Sequence, residues 1–369
     1  MNRLFRWDQM SLFLLALAAG ILPFAVPEVC AAALREGLTL CSGPLLLSLF
    51  PFLVVSRLLV QCPESDLLAL PFRLAAWGIG IRTPCAARVL CIGFLGGFAP
   101  AASAAAQAVR TGQLTAEEAD ALLPACICSG PSFVVLTVGQ SLLGSAELGV
   151  LLFASQITAN YLTAALLNRF AGMHSVKLGS AAPASPAPPR LDEILADAAI
   201  TYCKLCGFIL FFRMLAAGAG ALLPAGAGTL CSILLEVCSG CDLASRTGRW
   251  GSLLCCTALS VQGLSVLLQV RTICPPEMTL RPLYRSRLLH LPLSLALFYL
   301  LLPGGEADVF STLPARILLM RRVPPDCALL VFAVCCMAAC TLRSGIRQVE
   351  QKQMARNAGG CCINSKTLL

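Results

Sequence analysis

The sequence predicts an all-α fold: a polytopic transmembrane helical bundle of two related halves, with broken or re-entrant helices. Three observations predict it. Of the 369 residues, 57% are hydrophobic and only 12% are charged, whereas soluble domains carry about 25% charged residues. A water-soluble fold of that composition would expose extensive apolar surface. The apolar residues fall in continuous windows near the roughly 20 residues needed to cross a bilayer. They do not alternate, which argues against an outer-membrane barrel. Finally, several windows are interrupted by glycine, proline and serine, in an order that recurs along the chain.

The first element is an N-terminal membrane helix within 1–38. Arg3 and Arg6 precede an apolar run from Ser11. No small-x-small cleavage site closely follows a short apolar core, so the run is expected to persist as a helix over 11–33. Further windows cover 39–61, 141–168, 196–223, 250–270, 286–303 and 325–342, with Ser260–Ser265 softening the 250–270 span. Three more, 85–109, 121–139 and 226–243, are broken by Gly96-Gly97 with Pro100, by Ser129-Gly130-Pro131 and by Ser239-Gly240. About ten membrane segments result. Residues 64–81, punctuated by Glu64, Asp66, Arg73 and Trp77, read as an interfacial amphipathic stretch. Thr115-Ala-Glu-Glu118 is a capping box opening a short polar helix within 113–122.

An Ala/Ser/Pro-rich linker, 171–195, separates a first repeat, 39–170, from a second, 196–303. A C-terminal loop and helix (304–342) and a polar tail (343–369) follow. Pro51-Phe-Leu-Val-Val-Ser-Arg57 and Gly207-Phe-Ile-Leu-Phe-Phe-Arg213 open the two repeats with similar runs. Each is followed by a broken segment, a Ser/Gly-interrupted segment and an ordinary span. Interrupted helices in matching positions of two halves are a pointer to a transporter-type core.

The net charge of +8 lies mostly between apolar runs and in the tail, as cytoplasmic loops require. Both termini are expected in the cytoplasm, with Arg271, Arg281, Arg285 and Arg287 on that side. No basic domain with interleaved aromatics is present, which excludes nucleic acid as a partner; the expected partner is the lipid bilayer. Most of the 21 cysteines sit inside apolar runs and are expected to pack as small apolar side chains. Cys203-x-x-Cys206 and Cys238-x-x-Cys241 match metal-ligand spacing, but chance produces such pairs in so cysteine-rich a chain, and no metal is assigned.

Glu236 is the candidate with the sharpest chemistry. It lies in the apolar run Gly228–Gly240, where a carboxylate costs about 2.5–3.5 kcal/mol on insertion scales. Such an acid can bind a cation, relay a proton or accept hydrogen bonds from a solute. The plainer reading pairs it with Arg213 or Lys204. Gly97, Pro100, Ser129, Gly130, Pro131 and Ser239 mark breaks that can free backbone N–H and C=O groups for a ligand, or merely permit tight helix crossings. Gln262, Ser265 and Gln269, spaced i, i+3, i+7, are expected on one helical face, and Gln156 and Asn160 form an i, i+4 pair. Interhelical hydrogen bonding explains these equally well. Arg57 and Arg213 are read as snorkelling to the interface, or, more sharply, as anion contacts through a bidentate guanidinium. His174 and His290, at span edges, are expected at the surface. The chain shows no catalytic triad, phosphate-binding loop, paired carboxylates or cofactor motif, so no enzyme is expected.

Gly93-Phe-Leu-Gly-Gly-Phe-Ala-Pro100, the hairpin Arg110–Leu123 and Cys128-Ser-Gly-Pro-Ser-Phe133 resemble, in that order, motifs of the YlbJ-type sporulation integral membrane proteins. That family carries nucleoside-recognition (Gate) repeats. Gln156-Ile-Thr-Ala-Asn160, Glu236-Val-Cys-Ser-Gly240 and Gly263-Leu-Ser-Val-Leu-Leu-Gln269 are similar to its later motifs, and the likeness covers roughly residues 40–300. Leu267 stands where the family usually has histidine, and Arg57 where an acid is common. The resemblance implies Gate-like repeats at 39–170 and 196–303 and a role in spore cortex formation.

The expected function is therefore a permease-like protein for a small polar solute or ion. A non-transporting scaffold in spore envelope assembly and a metal permease are the alternatives. The sequence sets no oligomeric state.

Overall fold

The computed structural model describes residues 2–61, 67–171 and 191–302, and every regular element among them is helical. The N-terminal part contains α1 (Asn2–Ala25), α2 (Pro27–Ser42), α3 (Pro44–Gln61) and α4 (Leu70–Ile79). Then come α5 (Pro84–Gly96), α6 (Phe98–Arg110), α7 (Ala116–Cys126), a π-helical segment Ser132–Leu142 and α8 (Ala146–Phe170). The last group is α9 (Leu191–Leu222), α10 (Ala225–Leu235), α11 (Val237–Ser245), α12 (Gly251–Val261), α13 (Gly263–Ile273) and α14 (Arg281–Leu301).

Two helices, α8 and α14, bury a polar stripe and expose apolar side chains. The buried side of α14 carries Ser286, Arg287, His290 and Ser294, while Leu288, Tyr299 and Leu300 are 70–78% exposed. On α8, Ser155, Gln156, Asn160, Thr163 and Asn168 are buried, while Val150, Leu162, Leu166 and Phe170 are exposed. Water-soluble helices turn the other way, apolar in and polar out. Leucine outside and hydrogen-bonding groups inside suit a surrounding hydrocarbon, so the chain is a helical membrane protein.

Among the described residues, three helical stretches are long and apolar enough to cross a membrane: Ala146–Phe170, Leu191–Leu222 and Gly248–Ile273. Two bent pairs raise the number to five if each is one span: Leu15–Ala25 with Pro27–Ser42, bent by 110°, and Leu70–Ile79 with Pro84–Gly96, bent by 106°. This is fewer than the nine apolar windows that fall within the described residues, because breaks divide several of them into short helices. The window at 11–33 is such a case. It is not one helix, since the chain turns at Val26 before Pro27; proline disfavours helical geometry in the residue before it. The window at 39–61 is likewise divided, at Gly43. Helix α9 begins at Leu191, inside the expected linker 171–195. The rest of that linker to residue 190, with His174, and everything from 303 on, including the expected 325–342 helix and the tail, lie outside the described residues.

Within the described part of 64–81, α4 turns Leu70, Leu74 and Trp77 outward and Ala76 and Ile79 inward. The capping box at Thr115 forms: the Glu118 N–H donates to Thr115 Oγ1 (3.1 Å), and the Thr115 N–H donates to Glu118 Oε2 (3.0 Å). At the centre, α6 packs against α3, α5, α7 and α13. It does so through buried Ala99, Ala101, Ala102, Ala104, Ala105 and Ala108, small residues that let backbones approach closely.

Candidate functional site

Four joints in the helices build the site. In the first, α5 ends and α6 begins at Gly97, whose φ of +81° is open to glycine but strained for other residues. In the second, α7 ends at Cys126 and the π-helical segment starts at Ser132, with Pro131 between. In the third, Glu236 alone is extended (φ −152°, ψ 125°) between α10 and α11. In the fourth, Gln262 and Gly263 take φ of +62° and +70° between α12 and α13. A non-glycine residue in that region costs about 1–3 kcal/mol, so surrounding structure must enforce it.

The joints touch one another in series. A Cβ on Gly97 would lie 2.7 Å from the Gly130 N, so the first joint abuts the second with no room for a side chain. Likewise a Cβ on Gly263 would lie 2.9 Å from the Glu236 N, so the fourth abuts the third. Between these pairs, the Gln262 Nε2 donates across to the Ile127 carbonyl of the second joint (3.2 Å). Asn160 Nδ2 (3.3 Å) and Arg287 Nη2 (3.2 Å) donate to the same carbonyl, and Arg287 Nη1 donates to the Ser260 carbonyl (3.4 Å).

Two buried charges complete this arrangement. Glu236, 3% exposed, caps α11: its Oε1 accepts from the Cys238 N–H (2.9 Å), and its Oε2 accepts from the Ser239 N–H (2.7 Å) and hydroxyl (2.9 Å). The carboxylate thus meets the positive end of a helix. The Arg287 guanidinium meets the negative ends of two, since Ile127 is the C-terminal cap of α7 and Ser260 lies in the last turn of α12. Each helix end carries roughly half an elementary charge. Two such ends together offset one guanidinium without any carboxylate. By contrast, α6 and α13 start at the joints with no side-chain cap, which leaves their first N–H groups without a side-chain acceptor.

The structure departs from several sequence expectations. Glu236 does not pair with Arg213 or Lys204: Arg213 Nη2 bonds Glu36 Oε2 at 2.7 Å, and Lys204 lies in a separate cleft beside Arg57. Gln262, Ser265 and Gln269 do not share one helical face, because the helix breaks at Gln262. Gln262 reaches the second joint, while Gln269 Nε2 donates to Ser265 Oγ at 2.9 Å, one turn away on α13. Arg57 does not snorkel. It is 6% exposed and bonds Ser103, Thr201 and Asp197. His290 is fully buried, with Nε2 3.3 Å from the Gln156 carbonyl. Arg287, expected among cytoplasmic loop charges, lies at the joints.

Of the remaining candidates, Gln156 donates to Ser260 Oγ (2.9 Å) and the Cys256 carbonyl (3.3 Å), tying α8 to α12. Ser129, Gly130 and Pro131 belong to the second joint, whereas Ser239 and Gly240 mark no break: they lie inside α11, because the chain turns three residues earlier at Glu236 and its carboxylate caps the helix through Ser239. Pro100, in the first turn of α6, is buried and lies against Gly96. Cys203 is exposed while Cys241 is buried beside Cys255. Among the described residues no three His, Cys, Asp or Glu side chains are grouped to hold a metal.

Around the joints, Asn160 Oδ1, Thr163 Oγ1, Gln262 Oε1, Arg287 Nε and His290 Nδ1 are buried without a hydrogen-bond partner. An unsatisfied buried polar group costs about 1–3 kcal/mol, so several together mark a place suited to polar company. The chain is thus a helical membrane protein whose interrupted helices meet around buried polar groups. Compared with family models, curated proteins and solved structures, the chain matches none.

Proposed function

We propose that this chain is a permease-like membrane protein that binds a small polar solute where the four helix joints meet. The observation that carries the reading is their continuity, from Gly97 to Gly130, from Ile127 to Gln262 and from Gly263 to Glu236. In hydrocarbon, unwound backbone is tolerated only where protein buries it or a polar cavity receives it. A permease needs such a place, with N–H and C=O groups freed from their helices. The unpartnered polar atoms of Asn160, Gln262, Arg287 and His290 supply further donors and acceptors.

The element order supports two related halves. A joint at Gly97, a joint at Cys126–Ser132 and then α8 compare with a joint at Glu236, a joint at Gln262 and then α14. Together with the motif likeness to YlbJ-type proteins, this supports Gate-like repeats and a task in spore cortex formation, in the forespore or mother-cell membrane.

The test is carried out in a spore-forming host with this chain as the sole copy. Gln262→Ala and Glu236→Gln are each expected to lower the yield of heat-resistant spores at least tenfold, with normal accumulation in the membrane. Normal yield from both would overturn the permease reading and favour a scaffold.

A further inference from the structure

A second polar cleft lies outside the joints. It is a cavity of about 140 Å³ between α3, α6, α9 and α13, roughly the liquid volume of four to five waters at ~30 Å³ each. Arg57 forms its wall, with the guanidinium spread over three partners: Nε to Ser103 Oγ (3.1 Å), Nη2 to Thr201 Oγ1 (3.1 Å) and Nη1 to Asp197 Oδ2 (2.8 Å). Arg110 and Lys204 also line it and are exposed. Three cations therefore face one carboxylate. The C-terminal ends of α6 and α13 lie beside the cleft and subtract about half a charge each, which still leaves it positive.

Two details point to a ligand. Asp197 is 62% exposed although its partner Arg57 is 7% exposed, so a carboxylate reaching in from the mouth occupies one arm of a buried guanidinium. And Gln269, 2% exposed and lining the same cleft, keeps Oε1 without a partner. Amide oxygen and nitrogen exchange places on a half-turn. With Gln269 turned over, the Ser265 hydroxyl donates to Oε1, and an N–H is free for the cleft.

We propose that this cleft binds a small oxyanion of the carboxylate or phosphate class, recognised by Arg57 with Lys204 and Arg110, and that Asp197 is the internal carboxylate such an anion displaces. Planar guanidinium donors match oxyanions of this kind. The anion can be free in solution or the phosphate of an anionic lipid, because the cleft lies where α6 and α13 end. The site does not depend on the permease reading.

The test uses the full chain. In one arm, calorimetry in detergent measures binding of inorganic phosphate and of acetate. In the other, native mass spectrometry from nanodiscs compares retained phosphatidylglycerol with phosphatidylcholine. Wild type is expected to bind in at least one arm. Lys204→Gln combined with Arg110→Gln should weaken that binding at least tenfold, and because both side chains are exposed the fold should survive. Asp197→Asn should tighten it at least threefold, whereas a carboxylate with a purely structural role would leave binding unchanged or weaker. No binding in either arm, or affinities untouched by these variants, would overturn the proposal. Binding, together with normal spore yield from both Gln262→Ala and Glu236→Gln, would uphold this site and sink the permease reading; the reverse outcome would do the opposite.

Discussion

Gly263 shows how much one missing methyl group decides. Its φ of +70° suits glycine, and a Cβ there would fall 2.9 Å from the Leu235 carbonyl carbon and oxygen and the Glu236 nitrogen. Both terms oppose alanine: the left-handed backbone costs about 1–2 kcal/mol, and the contact is with backbone that cannot step aside. Gly207 lies within α9 with nothing within 4 Å of its would-be Cβ, where alanine gains about 1 kcal/mol of helix propensity. Gly263→Ala should therefore lower the thermal midpoint in detergent by several degrees, while Gly207→Ala raises it or leaves it unchanged. A fall of equal size in both would refute the close approach of the third and fourth joints.

Among elements, the clearest case is the short helix α11, nine residues long, below the roughly 12–15 residues at which isolated helices become marginally stable. It depends on its cap. Removing the Glu236 carboxylate leaves the Cys238 and Ser239 N–H groups buried without an acceptor, at about 1–3 kcal/mol. Glu236→Ala should thus destabilise the protein measurably in thermal unfolding. Glu236→Gln, which keeps one oxygen, should lose less than half as much. A second cap joins distant parts: Asp120 on α7 accepts from Thr279 N (2.8 Å), Thr279 Oγ1 (2.7 Å) and Leu280 N (3.1 Å) at the start of α14. Asp120→Ala is expected to cost about 2–3 kcal/mol, read as a lower midpoint; an unchanged midpoint would show these bonds to be of no net value.

Much at this scale was legible. Gly96-Gly97 and Ser129-Gly130-Pro131 marked two of the four joints, since residues that tolerate unusual backbone or lack an N–H announce themselves; the third falls at Glu236, three residues before the expected Ser239-Gly240 break, which lies inside α11. The fourth was only half visible. Gln262 carries no local signal for a left-handed backbone, and its apolar neighbours read as a continuous span. The 110° turn at Val26 was hidden for a similar reason: proline is compatible with a first helical turn as well as with a bend.

For the whole molecule, the burial pattern turned on two residues that composition misplaces. Arg281, Arg285 and Arg287 cluster as loop charges do, so Arg287 read as cytoplasmic and His290 as a surface residue. The signal that distinguishes them is helical phase. Ser286, Arg287, His290 and Ser294 share one side of α14, with Leu288, Leu289 and Tyr299 elsewhere. In lipid, a polar stripe faces the interior. Arg287 then holds two helix ends together, and Arg287→Met should leave the Ile127 and Ser260 carbonyls with weaker company. A loss of stability of about 1–3 kcal/mol is expected, with little dependence on ionic strength, because the contact is buried. A salt-sensitive effect would instead place that guanidinium at the surface.

At the centre of the molecule, four helix joints meet around buried polar atoms that lack a hydrogen-bond partner. A high-resolution electron cryo-microscopy map of the protein in nanodiscs tests it most directly. The expected map shows helices interrupted at Gly97, Ile127, Glu236 and Gln262, with ordered density within hydrogen-bond distance of Asn160 Oδ1, Gln262 Oε1 and Arg287 Nε. Continuous helices through those positions, or dry apolar packing against those three atoms, would contradict it.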